Sequence, residues 1–249
     1  HGRVLRYDTQ GQYNQAASWL VYDAGNTGGF ATKGYHGGVF DGRYVYFSPA
    51  SGGASAGKVL RLDTQGGFAD AASWSAYDAS HVDGLDTSGF QGAVFDGRYI
   101  YFVPHVAASF HGNVLRFDTQ GSFSNASSWR AYNAGNTSGL VTRGYAGGVF
   151  DGRFVYFVPT YDGSVTHGRV LRYDTQGEFA SGASWLAYDA GNSGIANTTG
   201  FKGGVFDGRF VYFVPYQGSG RVLRYDTQGT FTSGASWSPK RRGTTSRRT

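Results

Sequence analysis

The sequence predicts an all-β fold assembled from one repeated four-stranded antiparallel unit, and three observations carry that expectation. First, the segment GRVLRYDTQG at 2–11 returns with small changes at 57–66, 112–121, 168–177 and 220–229, and GGVFDGRYVYFSP at 37–49 returns at 92–104, 147–159 and 203–215. Second, the returning blocks are short runs of Val, Tyr, Phe and Trp bounded by Gly, Pro, Asn and Asp, the composition of strands and turns. Third, no apolar stripe at helical spacing is long enough to form a helix.

Each repeat divides into four strands. GGVF is strand A, RYVYF strand B, VLRYD strand C, and SWLAYD, which starts at Trp19, Trp74, Trp129, Trp185 or Trp237, strand D. The Asp-Gly pairs 41–42, 96–97, 151–152 and 207–208 stand between apolar runs and predict two-residue hairpin turns joining A to B. The nearly continuous apolar character of A and B predicts a sheet covered on both faces, and the glycines opening A predict a close backbone approach. Four antiparallel strands in about fifty residues match the blade of a β-propeller. Over 1–238 the chain resembles β-propeller repeat proteins of the kelch and tachylectin type. The resemblance rests on blade pattern, without the kelch double-glycine-then-Trp signature or a Trp-Asp pair, so it implies a fold and transfers no functional residues.

The strand count is C-D followed by A-B-C-D four times. It predicts a five-bladed propeller with one incomplete blade: four complete blades plus a C–D hairpin, in a single domain over 1–238. The open inner edge leaves room for a homodimer that completes the blade. Pro239 is expected to interrupt the last strand D and to open a basic, disordered tail over 239–249. The chain opens at His1 and contains no Met, as expected of a processed form or a fragment.

Composition narrows the function. With no Cys, disulfide and thiolate-metal chemistry are excluded. Of the 22 basic residues, five lie in the last ten positions, which leaves 17 against 17 acidic ones in the body. A neutral body does not predict nucleic-acid binding, and no apolar run is long enough to cross a bilayer.

The blade pattern also sorts the loops. A–B and C–D turns share one face; B–C loops and D–A crossings share the other. The B–C loops (50–56, 105–111, 160–167, 216–219) vary between four and eight residues, whereas every D–A crossing (24–36, 79–91, 134–146, 190–202) has 13. All internal histidines fall here, namely His36, His81, His105, His111 and His167. Variable loops on a rigid frame are where binding residues concentrate, so the B–C/D–A face is the expected binding face. Asn26, Asn136 and Asn192, with the aromatics Tyr35, Phe90, Tyr145 and Phe201 ahead of strand A and Tyr161 and Tyr216 in the B–C loops, suit a polyhydroxylated ligand, because an amide both donates and accepts. The once-per-blade Arg, Asp and Thr of LRYDT, the Asp-Gly turns and the tryptophans read as structural. A structural cation held by the repeated aspartates of a central channel is the one ion the pattern allows; no cofactor and no histidine metal site are expected.

The expected function is a non-catalytic, multivalent, lectin-like module for glycans or another extracellular polymer, in a secreted protein. The alternatives are a propeller glycoside hydrolase or lactonase-type hydrolase using Asp83, Asp86 and Asp162, the acids that break the repeat on that face, and a protein-interaction scaffold. Asn125, Asn136 and Asn197 open Asn-x-Ser/Thr triplets relevant to a eukaryotic secretory setting.

Overall fold

The computed structural model describes residues 1–50, 53–192, 198–217 and 220–240. Arg3–Tyr7 pairs with Trp19–Asp23 in a two-stranded sheet. Four four-stranded antiparallel blades follow. The first holds Tyr35–Phe40, Tyr44–Pro49, Lys58–Asp63 and Trp74–Asp78, and the second Phe90–Phe95, Tyr99–Pro104, Asn113–Asp118 and Trp129–Asn133. Tyr145–Phe150, Phe154–Pro159, Arg169–Asp174 and Trp185–Asp189 make the third; Phe201–Phe206, Phe210–Pro215, Val222–Asp226 and Trp237–Lys240 make the fourth. In every blade the strands lie in the order A-B-C-D, so the all-β propeller class read from the repeats is the observed one.

Helical structure among the described residues is confined to single 3-10 turns, most of them leading into strand D. At two of these turns the Asp70 and Asn125 side chains accept the N–H of Ala72 and Ser127 at 3.0 Å. Strand A carries a register break between Tyr145 and Gly148 and at the matching places in the first and fourth blades. Gly147, at φ 84°, sits inside that break, and a Cβ there would lie 3.0 Å from the Gly203 Cα. The predicted close approach of inner strands is therefore real. The expected interruption at Pro239 is corrected: Pro239 lies within Trp237–Lys240, opposite Leu223. It is tolerated because this is the outermost strand, where one edge has no ladder to lose.

The chain forms two compact units. One comprises His1–Phe102, Val106–Ala108 and Leu115–Ala131; the other comprises Val103–His105, Ser109–Val114 and Tyr132–Thr249. The second blade contributes to both. Within the first unit, Tyr46, Val59, Phe90, Ile100, Phe102, Phe117, Phe123 and Trp129 belong to one buried cluster; within the second, Tyr156, Val170, Phe201, Phe213, Leu223 and Trp237 do. Strand B is buried on both faces, as at Ile100 to Val103. The hairpin differs: Leu5 is 59% and Val21 60% exposed.

Contacts between successive sheets repeat with the period of the sequence. Tyr77 of the first blade stacks on Trp129 of the second with ring centroids 4.8 Å apart and planes within 8°. Tyr22 on Trp74, Tyr132 on Trp185 and Tyr188 on Trp237 do the same. Each indole is oriented by its N–H, which donates to the carbonyl of an aromatic residue six positions earlier, as from Trp129 to Phe123 at 3.0 Å. Such stacks add about 1 kcal/mol beyond the area they bury. The arginines of strand C reinforce them: Arg61 lies 4.2 Å from both the Tyr44 ring and the Phe123 ring, and Arg172 lies between Phe154 and Phe231.

The A–B turns form as hairpins, one residue downstream of the prediction. Gly97 and Arg98 make the loop, and Asp96 stands in the ladder, its N–H bonded to the Tyr99 carbonyl at 3.1 Å. Asp96 Oδ1 accepts the N–H groups of Arg98 (2.8 Å) and Tyr99 (2.6 Å), and Oδ2 accepts the hydroxyl of buried Tyr101 at 2.7 Å. Asp41, Asp151 and Asp207 repeat this clamp. A buried hydroxyl stripped of its acceptor costs about 1–3 kcal/mol, more than removing the hydroxyl itself. Asp96→Ala is therefore expected to destabilise by about 2 kcal/mol in urea unfolding and Tyr101→Phe by about 1; equal effects would show that the clamp is not what holds the turn.

Candidate functional site

The rim opposite the Asp-Gly turns is organised by the D–A crossings, of which the first three fold into small hairpins that the sequence reading treats as irregular loops. Asn136–Thr137 pairs with Leu140–Val141, as His81–Val82 pairs with Leu85–Asp86 and Asn26–Thr27 with Phe30–Ala31. Threonines close them: the Thr137 and Thr142 hydroxyls both donate to the Ala134 carbonyl, the first at 2.9 Å, as Thr27 and Thr32 do to Ala24. In the second crossing Val82 replaces the first threonine, and Thr87 alone bonds Ala79. The hairpin tip then pins the next outer strand. Ser138 adopts φ 55° and its hydroxyl oxygen accepts the Ala187 N–H at 3.1 Å. Asp83, at φ 51°, accepts the Ala131 N–H at 2.9 Å and pairs with Arg130 at 3.1 Å.

Crossings and B–C loops meet on one rim. Within the second unit, Gly144 donates its N–H to His111 and accepts from Thr160. The 160–167 loop closes with the same chemistry as the A–B turns, at an Asp-Gly pair in a place the repeat does not supply. Asp162 Oδ1 accepts the N–H groups of Ser164 (2.8 Å) and Val165 (2.9 Å), while its N–H reaches the Val165 carbonyl. Burial alone would raise the Asp162 pKa, but the Val165 and Ser164 N–H groups and the Arg169 guanidinium outweigh it and hold the carboxyl down to about 2. That keeps it ionised and unfit as a general acid.

An open depression of about 440 Å³ lies on this rim, lined by Phe110, His111, Gly112, Asn113, Asn133, Gly135, Asn136 and Arg143. Its glycines bring two backbones together: a Cβ on Gly112 would lie 2.4 Å from the Gly135 Cα. Phe110 is held in place by three neighbours. Its ring lies edge-on to His105 and to Tyr161, at 5.1 and 5.2 Å between centroids, and Gly144 leaves room for it, since a Cβ there would come within 2.9 Å of the ring. His111 Nδ1 accepts the Asn113 N–H at 3.2 Å, which places the ring proton on Nε2. Asn133 Oδ1 accepts the Gly135 N–H at 2.9 Å. The lining has three amides, an imidazole, an aromatic ring and one guanidinium, and no carboxylate.

The candidates read from sequence separate into three groups. His111 and Asn136 line the depression, and His105 and Tyr161 buttress Phe110 beside it. Asn26, His36, His81 and Tyr216 are exposed and Tyr35 half-buried, each away from that lining. Phe90, Tyr145, Phe201 and His167 are buried and do not present a surface to a ligand. The first three fill the core beneath strand A, with the Tyr145 hydroxyl donating to the Arg169 carbonyl at 3.2 Å. His167, 4% exposed, has Nδ1 accepting the Arg169 N–H and Nε2 donating to the Arg143 carbonyl. The Asn192 side chain, Asn197 and residues 241–249 lie outside the described residues. Phe110, Asn113, Asn133 and Arg143 were missed. The signal was present, because Asn113 and Asn133 stand where the hairpin and the first and third blades have a basic and an acidic residue.

Of the acids considered for a hydrolase, Asp83 is engaged in pinning a strand, Asp86 accepts the Ser88 hydroxyl at 2.6 Å, and Asp162 in closing a loop. Among the described residues no three His, Asp or Glu side chains converge as metal ligands, and no helix is long and apolar enough to cross a membrane.

No family model and no curated protein matches the chain. Among the solved structures that match, apo AztD from Citrobacter koseri is similar over 80% of this chain and 45% of its own length, with 14% identity and a TM-score of 0.44. This chain thus spans less than half of that protein.

Burial, with the Arg169 charge nearby, lowers the His167 pKa from 6.5 to about 4. A base whose pKa falls on folding contributes stability that is complete above its unfolded value and is lost as pH drops toward the folded one. The Tm of the wild type is therefore expected to fall relative to His167→Gln between pH 6.5 and 4, a window set by those two values; a difference that stays flat across it would contradict the assignment.

Proposed function

We propose that the chain is a non-catalytic glycan-binding module and that the depression at Phe110, Asn113, Asn133 and Asn136 is its principal sugar site. The observation that carries this reading is the combination of a fixed aromatic ring with three amides around one open concavity. A pyranose presents an apolar C–H face and a rim of hydroxyls. The first suits an aromatic platform, and the second suits amides that donate and accept together. An open depression with short polar contacts fits an exposed chain polymer better than a small enclosed metabolite. The reading extends to a secreted protein meeting polysaccharide outside the cell, with weak single sites reinforced by multivalency.

The test is a saccharide array followed by calorimetry on the whole chain. Saturable binding to at least one oligosaccharide is expected, weakened about tenfold or more by Phe110→Ala, which removes the platform, and about fivefold by Asn136→Ala. Absence of binding to every saccharide on the array would overturn the proposal.

A further inference from the structure

At one register position next to the depression the second blade departs from its neighbours. In the hairpin, Arg3 of strand C stands opposite Asp23 of strand D. In the first blade Lys58 stands opposite Asp78 and pairs with it at 2.7 Å. In the third, Arg169 stands opposite Asp189 and pairs with Asp162. Each places a cation and an anion at the top of the C–D pair, next to the rim. In the second blade both partners are replaced, and the corresponding residues are Asn113 and Asn133. The double change leaves the local charge balance unaltered while removing the ion pair. Two amides capable of donating and accepting take its place.

One charge remains in the lining. Arg143 comes from the crossing that follows the second blade, is exposed, and forms no ion pair among the described residues. Three other cations near the rim have a carboxylate, since Lys58 has Asp78, Arg130 has Asp83 and Arg169 has Asp162, whereas Lys33 and Lys202 join Arg143 in forming no ion pair among the described residues. Arg143 is the one of these three that lines the depression. The side chains that could neutralise Arg143 from within the depression are Asn113, Asn133, Asn136 and His111, none of which is an anion at neutral pH.

We infer that the second-blade depression selects sugars bearing a carboxylate, with the Arg143 guanidinium taking the carboxylate and Asn113 and Asn133 taking adjacent hydroxyls. The inference rests on the glycan reading and sharpens it to an acidic, uronate-type ligand. A guanidinium holds a carboxylate through two parallel charge-assisted hydrogen bonds, which a neutral ester or a free hydroxymethyl group cannot reproduce. The missing ion pair also explains why the depression is accessible here. A Lys–Asp or Arg–Asp pair across the same position would fill it with side chain and supply the anion that the ligand is asked to bring.

The experiment uses matched probes on the intact chain: oligomers of galacturonic, glucuronic and mannuronic acid, the methyl ester of each, and the corresponding neutral hexose oligomers. At least one acid is expected to bind about tenfold or more tighter than its own ester, with an affinity that falls as salt is raised. Arg143→Gln should bring acid and ester to the same affinity, whereas Arg143→Lys should keep part of the preference. The double variant Asn113→Lys/Asn133→Asp, which restores the ion pair of the first blade, should lose binding while unfolding like the wild type. Equal binding of acid, ester and neutral oligomer, or a preference that survives Arg143→Gln, overturns this inference and leaves the glycan proposal standing. If none of these probes nor any arrayed saccharide binds, both fall.

Discussion

Every blade of this chain meets the next through a flat aromatic contact, the outer-strand tyrosine of one sheet lying on the tryptophan that begins the outer strand of the following sheet. The contact depends on orientation. An indole free to turn would offer a variable surface, and here its N–H is committed to a carbonyl six residues earlier, so the ring plane is fixed by a bond within its own repeat. The strand C arginine, lying between a ring of its own blade and a ring of the next, continues the same seam toward the turn face. Because these groups recur at one place per repeat, the packing is decided largely by the repeat itself, and the crossing tips that reach the next outer strand add to it.

That division of labour accounts for where chemistry can vary. On the Asp-Gly face each carboxylate already accepts two backbone N–H groups and a tyrosine hydroxyl. On the opposite rim the first three crossings are likewise tied down, by threonine hydroxyls beneath and, in the second and third, by a pinned tip beyond. What varies is the short B–C loop and the pair of residues at the top of strands C and D. The depression in the second blade lies where both depart from the common pattern, since the loop brings Phe110 and the strand tops bring two amides in place of an ion pair.

Much of this architecture could be read from residues alone, because repetition amplifies a weak signal: a run such as RYVYF is ambiguous once and decisive when it returns four times behind an Asp-Gly pair. Details set by geometry instead of composition were less visible. Two-residue strands such as Asn136–Thr137 are too short to show alternation, so the crossings read as plain loops. The aromatics ahead of strand A look the same in sequence whether they face solvent or core, and Phe90, Tyr145 and Phe201 face the core. Pro239 is compatible with a strand only where one edge is unladdered, which becomes clear once the strand order is known. His167 differs from His111 chiefly in burial, although both rings cap the second N–H that follows them.

The 160–167 loop closes upon itself, through one aspartate, one glycine at φ 103° and the backbone between them. Its turn is therefore written into a handful of adjacent residues, while its seat is shared with the frame, since Asp162 also holds Arg169, Thr160 bonds Gly144 and Tyr161 lies against Phe110. Such a segment has a self-closing tip on an anchored base: side chains at Ser164 and Val165 can change while the tip keeps its backbone bonds to Asp162, whereas changes at Thr160, Tyr161 or Asp162 reach the frame. A repeat array equipped this way can diversify its surface one loop tip at a time while the anchored base keeps each insert seated on its blade.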